Sequence, residues 1–364
     1  MPAASPQLQA STQPELKVAG QVRAELARDL QRLQVEEDVH GMKRLQASFV
    51  AIGPKHGERD EQLNWLDGSV LDFGKALEVA LGPSDARETM FDGKVSALEL
   101  AMDQGRTAEV MVFAEDRLMD LRMTRRFKTY ENVSDGDLVQ QIASEHGLLP
   151  SADVQGPTWP VIQQWNQSDL AFLRERARRL AAEVWVADGA LHVATRDRRN
   201  GNQLTLIQGS TLVQARLRAD LAHQRSKVVV GGFDDQEQDA INEEAAASVV
   251  AGEAQGHTHG PQVLERAFGE RVSYRVREVP LQDAQATAIA KAALLARARR
   301  FVGVSGIADG NTAIRVGTVL KLERVSPMFE GEGYCVTRVR HQFDLEAGYR
   351  THFEAERPWL GDLS

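Results

Sequence analysis

The chain has 364 residues, of which 42% are hydrophobic and 26% charged, and its 43 basic and 52 acidic residues leave a net charge of −9. This length exceeds one ordinary core and implies two or three domains. No run of about 18 apolar residues offers a membrane span, the negative balance gives no general attraction to nucleic acid or anionic membrane, and a lone cysteine, Cys335, excludes an intramolecular disulfide framework and a multi-cysteine zinc site.

Residues 1–14 are small, polar and proline-interrupted. They lack the positive start and apolar core of a secretory signal and are expected to form a flexible tail. From 15 to 130, short alternating segments dominate. Arg44–Ile52, Ala76–Gly82, Lys94–Met102 and Thr107–Ala114 have the period-two pattern of strands, with Asp92-Gly93 read as a turn and Glu115–Leu121 as a short helix. This stretch is expected to form a first tube-like antiparallel β-barrel domain.

Residues 131–200 change texture and predict a small α/β middle domain. Ser134 and Asp137 have the spacing of a capping box, with Asp in place of Glu, and lead into the apolar stripe Leu138, Val139, Ile142 and Ala143, ended by Gly147 and Pro150. A second helix is predicted from Ser168, with Leu170, Leu173, Ala177 and Leu180 at helical spacing. Arg174, Arg178 and Arg179 fall mostly outside that stripe and read as a solvated face rather than as a grip for RNA or an acidic partner. Asp188-Gly189, set between two alternating segments, is the signature of a two-residue hairpin turn.

Residues 201–364 return to strands and are expected to form a second tube-like barrel. Two stretches interrupt it: an acidic, alanine-rich insertion at about 234–262, expected as an exposed loop, and residues 283–300, whose composition favours helix. The predicted fold class is therefore mainly β with α+β character: two tube-like antiparallel barrels flanking a small α/β module.

The sequence offers little chemistry. No GxGxxG between strand and helix, no GxxxxGK[ST] and no GxSxG elbow is present. Cys335 falls inside a predicted strand and reads as a packed side chain. His257 and His259, in Gly-His-Thr-His-Gly, are the only candidate metal ligands, and two imidazoles are too few for a site without further donors. Acidic runs such as Asp234-Asp235 read as solvated loops. No catalytic residue and no cofactor is assigned.

Three fragments in order resemble a known family. Met90-Phe91-Asp92-Gly93-Lys94-Val95 opens the first, which continues through residues 110–148. Gln163-Gln164-Trp165-Asn166-Gln167-Ser168-Asp169-Leu170-Ala171-Phe172-Leu173 forms the second. The closing segment, residues 331–357, carries Tyr334, Val336, Val339, His341, Tyr349, Thr351 and Phe353. Together they are similar to the phage late control protein D and tail-hub family, which includes the N-terminal hub part of type VI secretion VgrG spike proteins. The resemblance implies a non-enzymatic baseplate hub, a homotrimeric symmetry adaptor joining a hexameric inner tube to a trimeric spike. Its implied partners are the inner tube protein, a separate spike protein (the chain ends just past its last predicted strand) and baseplate wedge proteins. Membrane and specific nucleic acid are not among them. Assembly would take place in the bacterial cytoplasm, and the product would be a phage, tailocin or extracellular injection particle. His341, beside Val336 and Val339, reads as a hydrogen-bonded structural residue. Two other functions compatible with the sequence are a tail-associated peptidoglycan hydrolase and a glycan-binding module built on the helix pair of residues 133–180.

Overall fold

The computed structural model describes residues 13–54, 61–199, 201–235, 237–278, 280 and 282–361. The predicted tail, residues 1–14, lies outside these except for its last two positions.

The first part of the chain contains β1 (Glu15–Val18), β2 (Gln21–Val22), α1 (Ala24–Asp29), β3 (Leu30–Asp38), β4 (Arg44–Val50), β5 (Ile52–Pro54), β6 (Glu61–Leu63), β7 (Ala76–Leu81), β8 (Glu88–Ala101) and β9 (Glu109–Glu115). The middle part contains α2 (Leu118–Met123), β10 (Arg125–Val133), α3 (Asp135–Glu145), β11 (Leu149–Asp153), β12 (Trp159–Ser168), α4 (Asp169–Arg179), β13 (Ala182–Ala187) and β14 (Ala190–Thr195). The last part contains β15 (Gln203–Ile207), β16 (Leu212–Ala219), β17 (Lys227–Asp234), β18 (Asp239–Ala246), α5 (Ser248–Ala254), α6 (Gly260–Phe268), β19 (Val272–Arg275), α7 (Asp283–Ala298), β20 (Val302–Asp309), β21 (Val319–Glu323), β22 (Gly331–Asp344) and β23 (Gly348–Arg357).

The protein is mostly β, but among the described residues the strands do not close into two barrels. A single 13-stranded sheet runs β16-β20-β23-β22-β3-β4-β9-β8-β7-β1-β2, with β21 and β15 branching from β22. The two β-rich parts are joined within it by the antiparallel ladder of β22 on β3, which pairs Arg338–Asp344 with Arg32–Asp38. Alternation sends one side of each strand inward. In the first part, Leu33, Val35, Leu45, Phe49, Val79, Phe91, Val110 and Val112 form one core. In the last part, Leu212, Val304, Leu320, Tyr334, Val336, Val339 and Phe353 form a second. One sheet therefore covers two cores. The last part is also not purely antiparallel, because β15 runs parallel to β21.

Asp92-Gly93 is not a turn: both residues lie inside β8. This long strand turns a corner, pairing with β7 along Glu88–Lys94 and with β9 along Lys94–Ala101. At the corner the backbones crowd, and a Cβ on Gly93 would lie 2.2 Å from the Glu115 carbonyl oxygen. Glycine is required there by close approach rather than by turn geometry.

The middle part matches its local signals closely. Ser134 caps α3 in a reciprocal box with Asp137, Ser168 caps α4, and β13 and β14 pair up to Ala187 and Ala190. Asp188 and Gly189 both have positive φ, as a type I′ turn demands. Its core adds Leu118 and Leu121 of α2 to the helix stripes and the strand residues Val184, Val186, Leu191 and Val193.

The acidic segment 234–262, expected as an exposed loop, holds the strand β18, the helix α5 and the start of α6. β18, β17 and β19 form a separate three-stranded sheet. The alanine-rich α7 packs on it through Ala286, Ile289, Ala290, Ala293 and Leu294, against Val228, Val230, Ile241 and Ala245. Asp239 and Glu243 share the register of Ile241 and Ala245, with Glu243 accepting from Thr287 of α7 at 2.7 Å, so acids on the inward side interrupted the period-two pattern.

Candidate functional site

Two places concentrate polar side chains: the side of the large sheet facing away from its cores, and the junction where the three parts of the chain meet. The β22/β3/β23 region of the open side presents Glu36, Arg338, Arg340, His352 and Glu354, which alternate with core residues. Together with Gln214 and Arg216 of β16 they line a hollow of about 310 Å³. Within it Arg338 Nη2 donates to Glu36 Oε1 at 2.6 Å, whereas Arg340 has no carboxylate partner among the described residues and its Nη2 lies 3.4 Å from His352 Nδ1. Burial, and then the Arg340 charge, lowers the His352 pKa. On the neighbouring strands Gln34 Nε2 donates to Gln46 Oε1 at 2.8 Å. Small-molecule sites are lined mainly by apolar groups with a few convergent polar ones. This surface is instead a broad polar wall carrying three arginines and two glutamates.

At the junction, Arg199 follows β14 and is buried. It donates to Glu37 of β3 at 2.6 Å and to Glu183 of β13 at 2.8 Å, and its guanidinium lies 4.3 Å from the centre of the Trp185 ring. Arg196 continues the chain of charges from Glu183 to Glu356 of β23, at 3.6 and 2.9 Å. All three parts of the chain are tied by this network. Gly41 makes the approach possible: its φ is +85°, and a Cβ there would lie 1.6 Å from the Val184 carbonyl oxygen. Nearby, Asp116 accepts the Lys43 and Leu118 backbone N–H groups with its two oxygens, while burial pushes its pKa up to about 7. A raised carboxyl can mark an acid catalyst, but both oxygens here are engaged by backbone, which points to a structural hinge.

The motif residues that carried the family resemblance are mostly inside. Asp169 is fully buried and accepts from Arg126 Nε at 3.0 Å and Gln164 Nε2 at 2.8 Å, with His146 Nε2 at 2.8 Å. Gln164, also fully buried, accepts in turn from the Tyr130 hydroxyl at 3.1 Å. Burial, then the Asp169 charge, raises the Tyr130 pKa to about 12. The Gln-x-x-x-Ser-Asp spacing thus supplies a hydrogen-bond hub beneath β10 and β12. In the closing segment, His341 Nδ1 meets the Tyr349 hydroxyl at 2.7 Å and Thr351 Oγ1 at 3.4 Å, and burial lowers the His341 pKa to about 3. Tyr334 lies under the Arg357 guanidinium and donates to the Phe329 carbonyl at 2.7 Å.

His257 and His259 do other work. His259 caps α6 in a reciprocal box with Gln262 and is buried, which lowers its pKa; the His257 ring stacks on Trp359 with centroids 5.6 Å apart. Among the described residues no group of three or more His, Cys, Asp or Glu side chains is placed to hold a metal. Cys335 lies in β22, half-buried, with its pKa raised by burial. The arginine-rich helix α4 is not simply a solvated face. Arg174 donates to the His40 carbonyl, and Arg176 is buried against Asp135, at 2.6 Å, and over Trp159. Sequence spacing missed Arg176, and nothing local distinguishes it from Arg178, which stays exposed. The same holds for Arg199, whose carboxylate partners are 16 and 162 positions away.

The sequence matches the family model described as the Alg8 N-terminal domain over residues 15–344. No curated protein matches it. Solved structures with a similar fold include a 43 kDa tail protein of prophage MuSo2 from Shewanella oneidensis, with a TM-score of 0.71 at 13% identity over 95% of this chain and 98% of that one. A tail protein from Neisseria meningitidis MC58 has a TM-score of 0.67 at 12% identity, over 94% and 96% of the two chains. A third is an E. coli type VI secretion component, described as structurally similar to bacteriophage T4 tail proteins gp27 and gp5. It has a TM-score of 0.59 at 13% identity, over 95% of this chain and 77% of that one.

Proposed function

We propose that this chain, which belongs to the Alg8 N-terminal domain family, is a non-catalytic baseplate hub of a contractile tail or injection particle. The single observation that carries the reading is one sheet laid over two separate cores and joined edge to edge by β3 and β22. A chain with two such units can present six similar units as a trimer, so a threefold spike can meet a sixfold tube without a symmetry mismatch. The likeness in fold to phage tail proteins and to a type VI secretion component supports the same reading. In this arrangement the polar wall around Glu36, Arg338, Arg340 and His352 lines the channel. The inner tube protein seats on one rim, a spike protein on the other and wedge proteins on the outside.

Native mass spectrometry of the purified chain tests this, together with pull-downs against the tube and spike proteins of the same particle. The expected result is a ring of three copies that retains both partners. A stable monomer that retains neither would overturn the proposal.

A further inference from the structure

The three-stranded sheet β18-β17-β19 stands apart from the large sheet, and its two outer strands each pair only with β17 among the described residues. An unpaired strand edge is a template for another strand. These two edges differ sharply in charge. From Asp234 to Glu244 the sequence around β18 holds six acidic residues and no base, whereas residues 270–278 around β19 hold Arg271, Arg275 and Arg277 against Glu270 and Glu278, a small positive excess. Asp239, Asn242 and Glu244 on β18 are exposed, as are Tyr274 and Val276 on the other side.

The basic side is larger than its strand. Arg297 at the end of α7 has its pKa lowered by burial and then by the neighbouring charges of Arg225, Arg275 and Arg300. None of Arg225, Arg297 or Arg300 has a carboxylate partner among the described residues. Arg275 is bridged to Glu278 at 2.6 Å, which leaves Arg225, Arg297 and Arg300 as the uncompensated cations, and an acid-rich strand forms the opposite edge of the same small sheet. β18 is antiparallel to β17, and β19 is parallel to it. If a second copy extends the sheet with its strands pointing the same way, its β18 meets β19 antiparallel, the relation β18 already has to β17.

We infer that the β19 edge of one copy binds the β18 edge of the next, an acidic strand docking on an arginine-rich one in a head-to-tail contact between copies of this chain. Such a contact is heterologous and forms a ring when its rotation closes. It specifies where the copies of the proposed trimer touch, and to that extent it rests on the hub reading. Exposed Tyr274 and Val276 give the β19 side of the junction an apolar component.

The test uses three variants of the full chain: Arg271→Glu/Arg275→Glu/Arg277→Glu, Glu237→Lys/Asp239→Lys/Glu244→Lys, and the two sets combined. Self-association is followed by analytical ultracentrifugation at low and high salt, and folding by circular dichroism. Each single-edge set is expected to weaken association on the order of 100-fold while leaving the spectrum unchanged, because like charges then face each other. The combined chain, whose two edges are again complementary, is expected to reassemble with itself but not with the wild type. Folded single-edge variants that keep the wild-type mass overturn this contact and leave the hub reading standing. A wild-type chain that stays monomeric overturns both. Binding of a single-stranded oligonucleotide by the arginines, with no effect of the reversals on mass, assigns the cluster to nucleic acid and also overturns the contact.

Discussion

Replacing Asp169 with alanine tests whether the motif residues act through folding. The carboxylate is fully buried and serves Arg126, Gln164 and His146 at 2.8 to 3.0 Å. Its removal leaves the buried Gln164 amide and the nearly buried His146 ring without that acceptor, and it takes from Arg126 one of its two carboxylate partners. Breaking a buried ion pair from one side typically costs about 3–5 kcal/mol. The Arg126 side chain keeps some exposure and a second carboxylate, Glu145, at 2.8 Å, which places the expected loss at the lower end, about 3 kcal/mol. Asp169→Asn keeps the shape and one acceptor oxygen and is expected to lose less. Urea unfolding followed by tryptophan fluorescence suits the question, since Trp159, Trp165 and Trp185 all lie in the middle part of the chain. An Asp169→Ala midpoint indistinguishable from wild type would refute the reasoning and reopen a functional role for the residue.

Other expectations follow from the same geometry. His341, with a pKa of about 3 when folded against about 6.5 when unfolded, takes up a proton on unfolding in the window between them. Its contribution is full above pH 6.5 and falls as the pH drops toward 3. Asp116, raised to about 7, acts oppositely: its folded form holds the proton more tightly, so its contribution is present below about pH 4 and is lost as the pH rises through 7. The two slopes oppose one another between about pH 4 and 6.5, and denaturant titrations of His341→Gln are expected to show stability falling with rising pH there, unlike the wild type. Gly41→Ala forces a Cβ into the Val184 carbonyl at a positive φ, and calorimetry is expected to show the first and middle parts unfolding in separate transitions. Ser134→Ala removes the α3 cap and is expected to cost about 1 kcal/mol, measured by the same urea titration.

The amino-acid sequence by itself determined the local structure. The Ser134 box, the Ser168 cap and the Asp188-Gly189 turn each depend on contacts within a few residues, so their signals are complete within a short window. The alternation of β4, β7 and β9 is equally local, since each strand's inward face is written along its own length. What only the tertiary structure decided was how distant strands join. β3 meets β22 some 300 positions later, with Glu36 and Arg338 separated by 302 residues, and no local pattern states which edge finds which. That pairing joined the two β-rich parts into one sheet over two cores. It also decided which charges are buried: Arg176, Arg199 and Asp169 resemble any surface residue until carboxylates or donors from remote elements surround them. β18 was hidden for a related reason. Glu243 stands on the same side as Ile241 and Ala245 and accepts from Thr287 of α7, so the alternation that marks a strand is broken by an acid whose partner lies on a remote helix.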